Sequence, residues 1–159
     1  MGLGNAVGEN LKYLVRDHLG RPLAGLLFGA AAWKIQARDA WIGWDADQRR
    51  NHLFLLANNS RFLILPWVRV PALASHVLGQ VTARLSADWQ RKYGHPIYLV
   101  ESFVQRDRFP GTCYRAAGWR RVGATTGRSR NDAAGTLPVP VKEIYLKVLR
   151  ADGPERLQG

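Results

Sequence analysis

Apolar and polar residues alternate over residues 11–15, turn-forming residues fill 17–22, and a more continuously apolar run follows over 23–32; the pattern predicts a β-hairpin with a buried second strand. Gly25, Gly29 and the alanines at 30–32 leave room for close approach to that strand. Asp45 is placed to cap a helix over residues 46–57, with Leu53, Leu56 and Ala57 inward and Asn58, Asn59 and Ser60 ending it. The apolar run 62–65 predicts a central strand. Leu73, Val77, Leu78, Val81, Leu85 and Trp89 recur every three or four residues, which predicts a long helix over 71–93 that opens at Pro71 and leaves at Gly94. A strand at 97–104, a short helix at 111–117, a strand at 118–123, a long mobile loop at 124–140 and a last strand at 141–149 complete the pattern. Residues 1–150 are thereby expected to form one α/β domain, and 151–159 a frayed, flexible tail.

Composition narrows the class. With 159 residues, 47% hydrophobic and 22% charged, the chain fits one globular domain. Its best apolar run, residues 23–33, is short and interrupted by glycine, so no membrane span is expected. The first ten residues lack a basic stretch followed by an apolar one, which points to a cytoplasmic protein. Cys113 is the one cysteine, and with four scattered histidines it offers no zinc-ligand spacing; no metal is expected.

Charge changes the picture most. Twenty-three lysines and arginines against twelve acids give +11, a surface that attracts polyanions, with nucleic acid the natural partner. Arginine-rich genome composition would produce the same excess. Between Asp107 and Asp132 the chain carries Arg108, Arg115, Arg120, Arg121, Arg128 and Arg130 and no acid, with Tyr114 and Trp119 interleaved. Arginine beside aromatics suits phosphate contact and base stacking. Strand alternation sends Arg120 and Arg121 to opposite faces, leaving Arg115, Arg121, Arg128 and Arg130 as the candidate contacts, the last two foremost.

Other polar candidates are Asn59, Arg61, His76, Glu101 and Cys113. Cys113 beside Arg115 is either a nucleophile with a lowered pKa, served by His76 or Glu101, or a small buried hydrophobe. His76 is either a base or a satisfied structural histidine. Glu101, at the end of an apolar strand, is either a paired structural acid or a general base.

The element order resembles the GNAT acyltransferase superfamily, and the segment CYRAAGWRRVG at 113–123 is similar to that superfamily's C-terminal motif, in which a Tyr on a short helix stands five residues before the aromatic of a Gly-aromatic pair; Tyr114 and Trp119 keep that spacing. The resemblance implies a GNAT-like mixed central sheet flanked by helices. It further implies that Tyr114 protonates a departing thiolate, against the plainer reading of a packing aromatic. The superfamily holds its acyl-CoA donor on backbone amides opening the long helix. Here the corresponding segment, residues 68–76, has no glycine, and Pro71 removes one donor. Arg69, Ala72, Ala74 and Ser75 are the residues left to meet acetyl-CoA or another acyl donor.

A second resemblance spans about residues 11–149. The segments WIGW at 41–44, NNSRFLILPW at 58–67, LASH at 73–76, FPGTCYRAAGW at 109–119 and GATTGRSR at 123–130 look like the DruA-like domain family, named for a component of the Druantia antiphage defence system and also found with transposase genes. It implies a defence or mobile-element setting with partner proteins, and brings no catalytic residue. Relatives usually carry a further segment before the first strand. Three readings follow: a nucleic-acid-contacting domain, an acyl- or other group-transfer enzyme, and a non-catalytic scaffold.

Overall fold

The computed structural model describes residues 8–68, 72–105, 112–125 and 141–159. Strand β1 (Leu11–Arg16) turns through Asp17, whose carboxylate accepts from the amides of Leu19 and Arg21 at 2.9 Å each, into β2 (Pro22–Ala30). Residues 24–29 of β2 are buried, and the strand is paired with β1 on one edge and β3 on the other. Helix α1 (Gln36–Ile42), absent from the sequence pattern, follows and stops at Gly43, whose φ of 80° reverses the chain. Asp45 and Gln48 then form a reciprocal capping box on α2 (Ala46–His52).

The helix expected over 46–57 ends early. Leu53–Leu55 tighten into a 3-10 turn, and Leu56 opens β3 (Leu56–Ile64), so Asn58, Asn59 and Ser60 lie inside a strand. Tertiary pairing overrides the local signal. Leu56, Ala57 and Asn58 pair with Leu99, Val100 and Glu101 on one side, while Ala57 pairs with Ala30 on the other. Helix α3 (Leu73–Tyr93), β4 (Leu99–Gln105), α4 (Thr112–Ala116), β5 (Arg120–Ala124) and β6 (Lys142–Val148) follow in the expected order. The loop expected at 124–140 lies outside the described residues beyond Thr125. Residues 153–157, read from sequence as a frayed tail, form α5 (Gly153–Leu157) with Leu157 fully buried.

The sheet runs β1-β2-β3-β4-β6-β5, antiparallel except for the β3–β4 pair. On its front face, Val77, Leu78, Val81, Leu85 and Trp89 of α3 meet Leu26, Phe28, Val100 and Tyr145. This matches the periodicity that predicted the helix. On its back face, Ile42, Trp44, Leu55, Leu56, Leu99, Leu146 and Leu157 form a second core. Helix α1 presses so closely on β5 that a Cβ at Gly123 would lie 2.5 Å from that of Ala37, which explains glycine there. Among the described residues no helix is long and apolar enough to cross a membrane.

Candidate functional site

The parallel β3–β4 pair holds for three residues only, ending at Asn58 and Glu101. Beyond that row β3 stays with β2 as far as Ile64, and β4 stays with β6 as far as Gln105. The sheet therefore forks, and the fork opens a cleft of about 520 Å³ lined among others by Asn59, Ser102, Val104, Cys113, Tyr114 and Lys142. Of the described lining residues, Lys142 alone carries a formal charge, so the cleft suits an uncharged or anionic ligand better than a cationic one.

A buried polar knot closes the apex. The β2–β3 register slips between Leu27 and Phe28, which pair with Arg61 and Asn59 and leave Ser60 as the extra residue. This lets the Asn59 amide Nδ2 donate to the carbonyls of both Leu27, at 3.1 Å, and Arg61, at 3.0 Å. With its nitrogen so fixed, Asn59 presents Oδ1 to the Tyr114 hydroxyl, which donates to it at 2.8 Å. Ser102 Oγ lies 3.2 Å from both the Tyr114 hydroxyl and the Asn59 carbonyl. Tyr114 is 7% exposed; it stacks on Tyr145 at 5.7 Å and meets Trp119 edge-on at 5.0 Å. Burial, partly offset by the Ser102 hydrogen bond, pushes its phenol up to about 12. It is a neutral proton holder at physiological pH.

Glu101 lies outside this cleft. Strand alternation turns Asn58 and Glu101 to the back of the sheet and Asn59 and Ser102 to the front. Glu101 and Arg38 are both fully buried and paired at 2.7 Å. The other Glu101 oxygen accepts from the Ala32 amide at 3.1 Å and from Asn58 Nδ2 at 2.8 Å. Arg38 also donates to the carbonyl of Ala32 at 2.6 Å and pairs with Asp39 at 2.9 Å. Arg38 was not singled out in the sequence because helix α1, which carries it, gave no clear periodic signal.

His76 is exposed on α3 and is not among the described lining residues. Cys113 borders the cleft, but burial pushes its thiol up rather than down; Arg115, expected to lower it, instead places its guanidinium 5.8 Å from the Tyr145 ring. Ala72 begins α3 with a left-handed φ of 58° and no side-chain cap, Ala74 borders the cleft, and Ser75 turns its hydroxyl back to the Ala72 carbonyl at 3.1 Å. Arg69, Arg128 and Arg130 lie outside the described residues.

Arg115 and Arg121 meet at Tyr145, which the register sets opposite Arg121, while Arg120 faces the other side of the sheet opposite Leu146. Arg121 is ion-paired with Glu143. Lys147, two residues from Tyr145 on the same face, donates to the Ala117 carbonyl at 2.6 Å. Of the residues at the site, Ser102, Lys142 and Lys147 were not singled out by sequence reasoning. Ser102 sits inside an apolar strand, where a hydroxyl requires a buried partner and so carried a weak signal.

No curated protein matches the chain by sequence. Among solved structures, it is similar to the spermidine N-acetyltransferase of Vibrio cholerae determined with CoA and spermine, with a TM-score of 0.57 and 8% identity over 88% of this chain and 66% of that one. It is similar to an acetyltransferase of the GNAT family from Bacillus anthracis, with a TM-score of 0.55 and 8% identity over 87% of this chain and 66% of that one. A nourseothricin acetyltransferase gives a TM-score of 0.52 and 11% identity over 88% and 65%. The chain thus spans just under two thirds of the length of these three proteins, and the likeness establishes a GNAT-like fold. The family model for Druantia protein DruA matches residues 1–151, and the chain belongs to that family.

Proposed function

We propose that this domain contacts nucleic acid in an antiphage-defence or mobile-element setting, together with partner proteins. The observation that carries the reading is the grouping of Arg115, Arg121 and Lys147 beside Tyr145, opposed by Glu143, at the end of the fold from which the acid-free segment with Arg128 and Arg130 continues in sequence. A net charge of +11 supplies the long-range attraction. Phosphate contact by such groups releases counterions, so affinity should fall steeply with salt. In fluorescence anisotropy with short labelled single-stranded DNA, duplex DNA and RNA, we expect binding at low salt that weakens by about tenfold or more when Arg115 and Arg121 are both changed to Ala. Changing Arg128 and Arg130 to Ala should weaken it further, and each lost phosphate contact should flatten the salt dependence by about one unit of slope. Absence of binding to all three probes at low salt would sink the reading.

The fork in the sheet favours a second reading, group transfer from an acyl-CoA or other donor. A forked cleft beside a phenol that keeps its proton is an arrangement able to bind a thioester and protonate a leaving group. A relative of the same fold was determined with CoA. The expected outcome is a rise in melting temperature of several degrees with acetyl-CoA at about a hundred times its Kd, equivalent to about 2.7 kcal/mol. No shift across acetyl-CoA, longer acyl-CoAs and free CoA would argue against this reading and leave the first untouched.

A further inference from the structure

The two arms of the fork present strand edges to each other inside the sheet. Hydrogen bonds along an antiparallel pair alternate, so one bonded pair sets the direction of the amides that follow. The Leu65 amide donates to the Leu23 carbonyl at 2.9 Å; by alternation Leu63 is bonded to Gly25, and Phe62 and Ile64 turn their N–H and C=O away from β2, toward the fork. The Leu149 amide donates to the Tyr98 carbonyl at 2.9 Å, which by the same rule turns the backbone of Phe103 and Gln105 away from β6, toward the fork. All four residues line the cleft.

At the apex, the Asn59 carbonyl is met by Ser102 Oγ across the gap, at 3.2 Å. Beyond it the two edges have no such partner: among the described residues, no hydrogen bond reaches the backbone of Phe62, Ile64, Phe103 or Gln105 from the fork side. Strand edges left bare are ordinarily blunted with charge or proline. Residues 62–64 and 103–105 contain neither. Lys142, which stands opposite Gln105 in the β4–β6 register, puts a cation at the outer end of the fork.

We propose that the fork takes an extended segment of a partner protein as an added strand between β3 and β4, with a carboxylate where the segment passes Lys142. Successive amides of an extended chain point to opposite sides, and those facing one side recur about every 6.6–6.8 Å, the repeat that separates Phe62 from Ile64 and Phe103 from Gln105. A stretch of about three or four residues, roughly 10–13 Å long, thus meets both edges at once. A pantetheine arm carries too few amides to do so. The cleft of about 520 Å³ has room for such a stretch, and Phe62, Ile64 and Val104 favour apolar side chains on it. Main-chain bonds supply the affinity and these side chains the selection. The inference names a docking mode for partner proteins and does not rest on nucleic-acid contact; peptide and acyl-CoA exclude each other from the fork.

The test uses fluorescein-labelled synthetic peptides of about eight residues, alternating valine and threonine, read by anisotropy. One ends in a free carboxylate, one is the same peptide N-methylated at alternate amides, and one ends in a carboxamide. N-methylation removes donors and keeps side chains and charge, so we expect the plain peptide to bind about tenfold or more tightly than its N-methylated counterpart. Gln105→Pro takes a fork-facing N–H from the end of β4 without removing a bond to β6, and should weaken the plain peptide about threefold or more. The carboxylate peptide should bind about threefold more tightly than the carboxamide, and Lys142→Glu should reverse that order, which misfolding would not produce. Equal binding of the plain and N-methylated peptides, or binding of neither, overturns the proposal. An unchanged order in Lys142→Glu overturns the carboxylate contact. A melting temperature raised by acetyl-CoA in a protein that binds no peptide assigns the fork to an acyl donor instead, and overturns the proposal while keeping the group-transfer reading.

Discussion

Changing Arg38 to Met is expected to lower the unfolding free energy by about 3–5 kcal/mol, read as an earlier midpoint in denaturant unfolding. Glu101 has no exposed surface, and its remaining partners, the Ala32 amide and Asn58, donate hydrogen bonds without supplying a full charge. Such a loss is a large share of the roughly 5–15 kcal/mol by which a domain of this kind is stable. The loss comes mainly from stranding a charge, so removing both partners should cost less than removing one. The Arg38→Met, Glu101→Leu double variant is therefore expected to recover part of the stability, whereas a further fall would show that the pair is worth more than its desolvation. The location adds a consequence for the cleft. Glu101 occupies the last row in which β3 and β4 are paired, and Arg38 ties that row to the carbonyls of Ala32 and Trp33. Weakening it should loosen the fork as well as the core.

Glu101 also shows how far the sequence could be read. A carboxylate after an apolar run needs a partner, and the sequence left a structural pair and a general base both open. Period-two alternation states that Glu101 and Ser102 face opposite ways, but which way faces the cleft depends on where α3 and α1 pack, and α1 had no clear sequence signal. The long helix was legible because six apolar residues share one side of a helix and one core. The helix beginning at Ala46 was legible at its start, where Asp45 and Gln48 act locally, and illegible at its end, where β2 and β4 claim Leu56 and Ala57 from across the chain. The same non-local pairing concealed the bulge at Ser60 and so the orientation of Asn59. Tyr114 and Trp119 could be placed together because their contact is local, the Trp119 amide reaching the Tyr114 carbonyl at 2.9 Å.

Tyr114→Phe separates the two things that Tyr114 can do. The ring contacts with Tyr145, Trp119 and Phe62 survive the change, while Asn59 Oδ1 loses its donor in a buried site. A stability loss of about 1–3 kcal/mol is expected from that stranded acceptor alone. Burial raises the folded-state pKa of Tyr114 from 10 to about 12, so its contribution is intact below pH 10 and is lost as pH rises towards 12; the variant should lack that part of the alkaline decline. If the cleft also transfers a group with the phenol as acid, kcat should fall by about 10²–10⁴ with KM little changed. The geometry sets a condition on that outcome, because the proton points at Asn59 and the Asn59 amide is held by two backbone carbonyls. A ligand atom must therefore displace Asn59 Oδ1 as the acceptor before it can be protonated. Asn59→Ala removes the competitor and leaves the phenol in place, so the acid reading expects it to retain or increase turnover in an enzyme that Tyr114→Phe has disabled. A loss of stability in both variants with no difference between them in any transfer assay would assign Tyr114 to the clamp at the fork and leave the cleft as a binding groove.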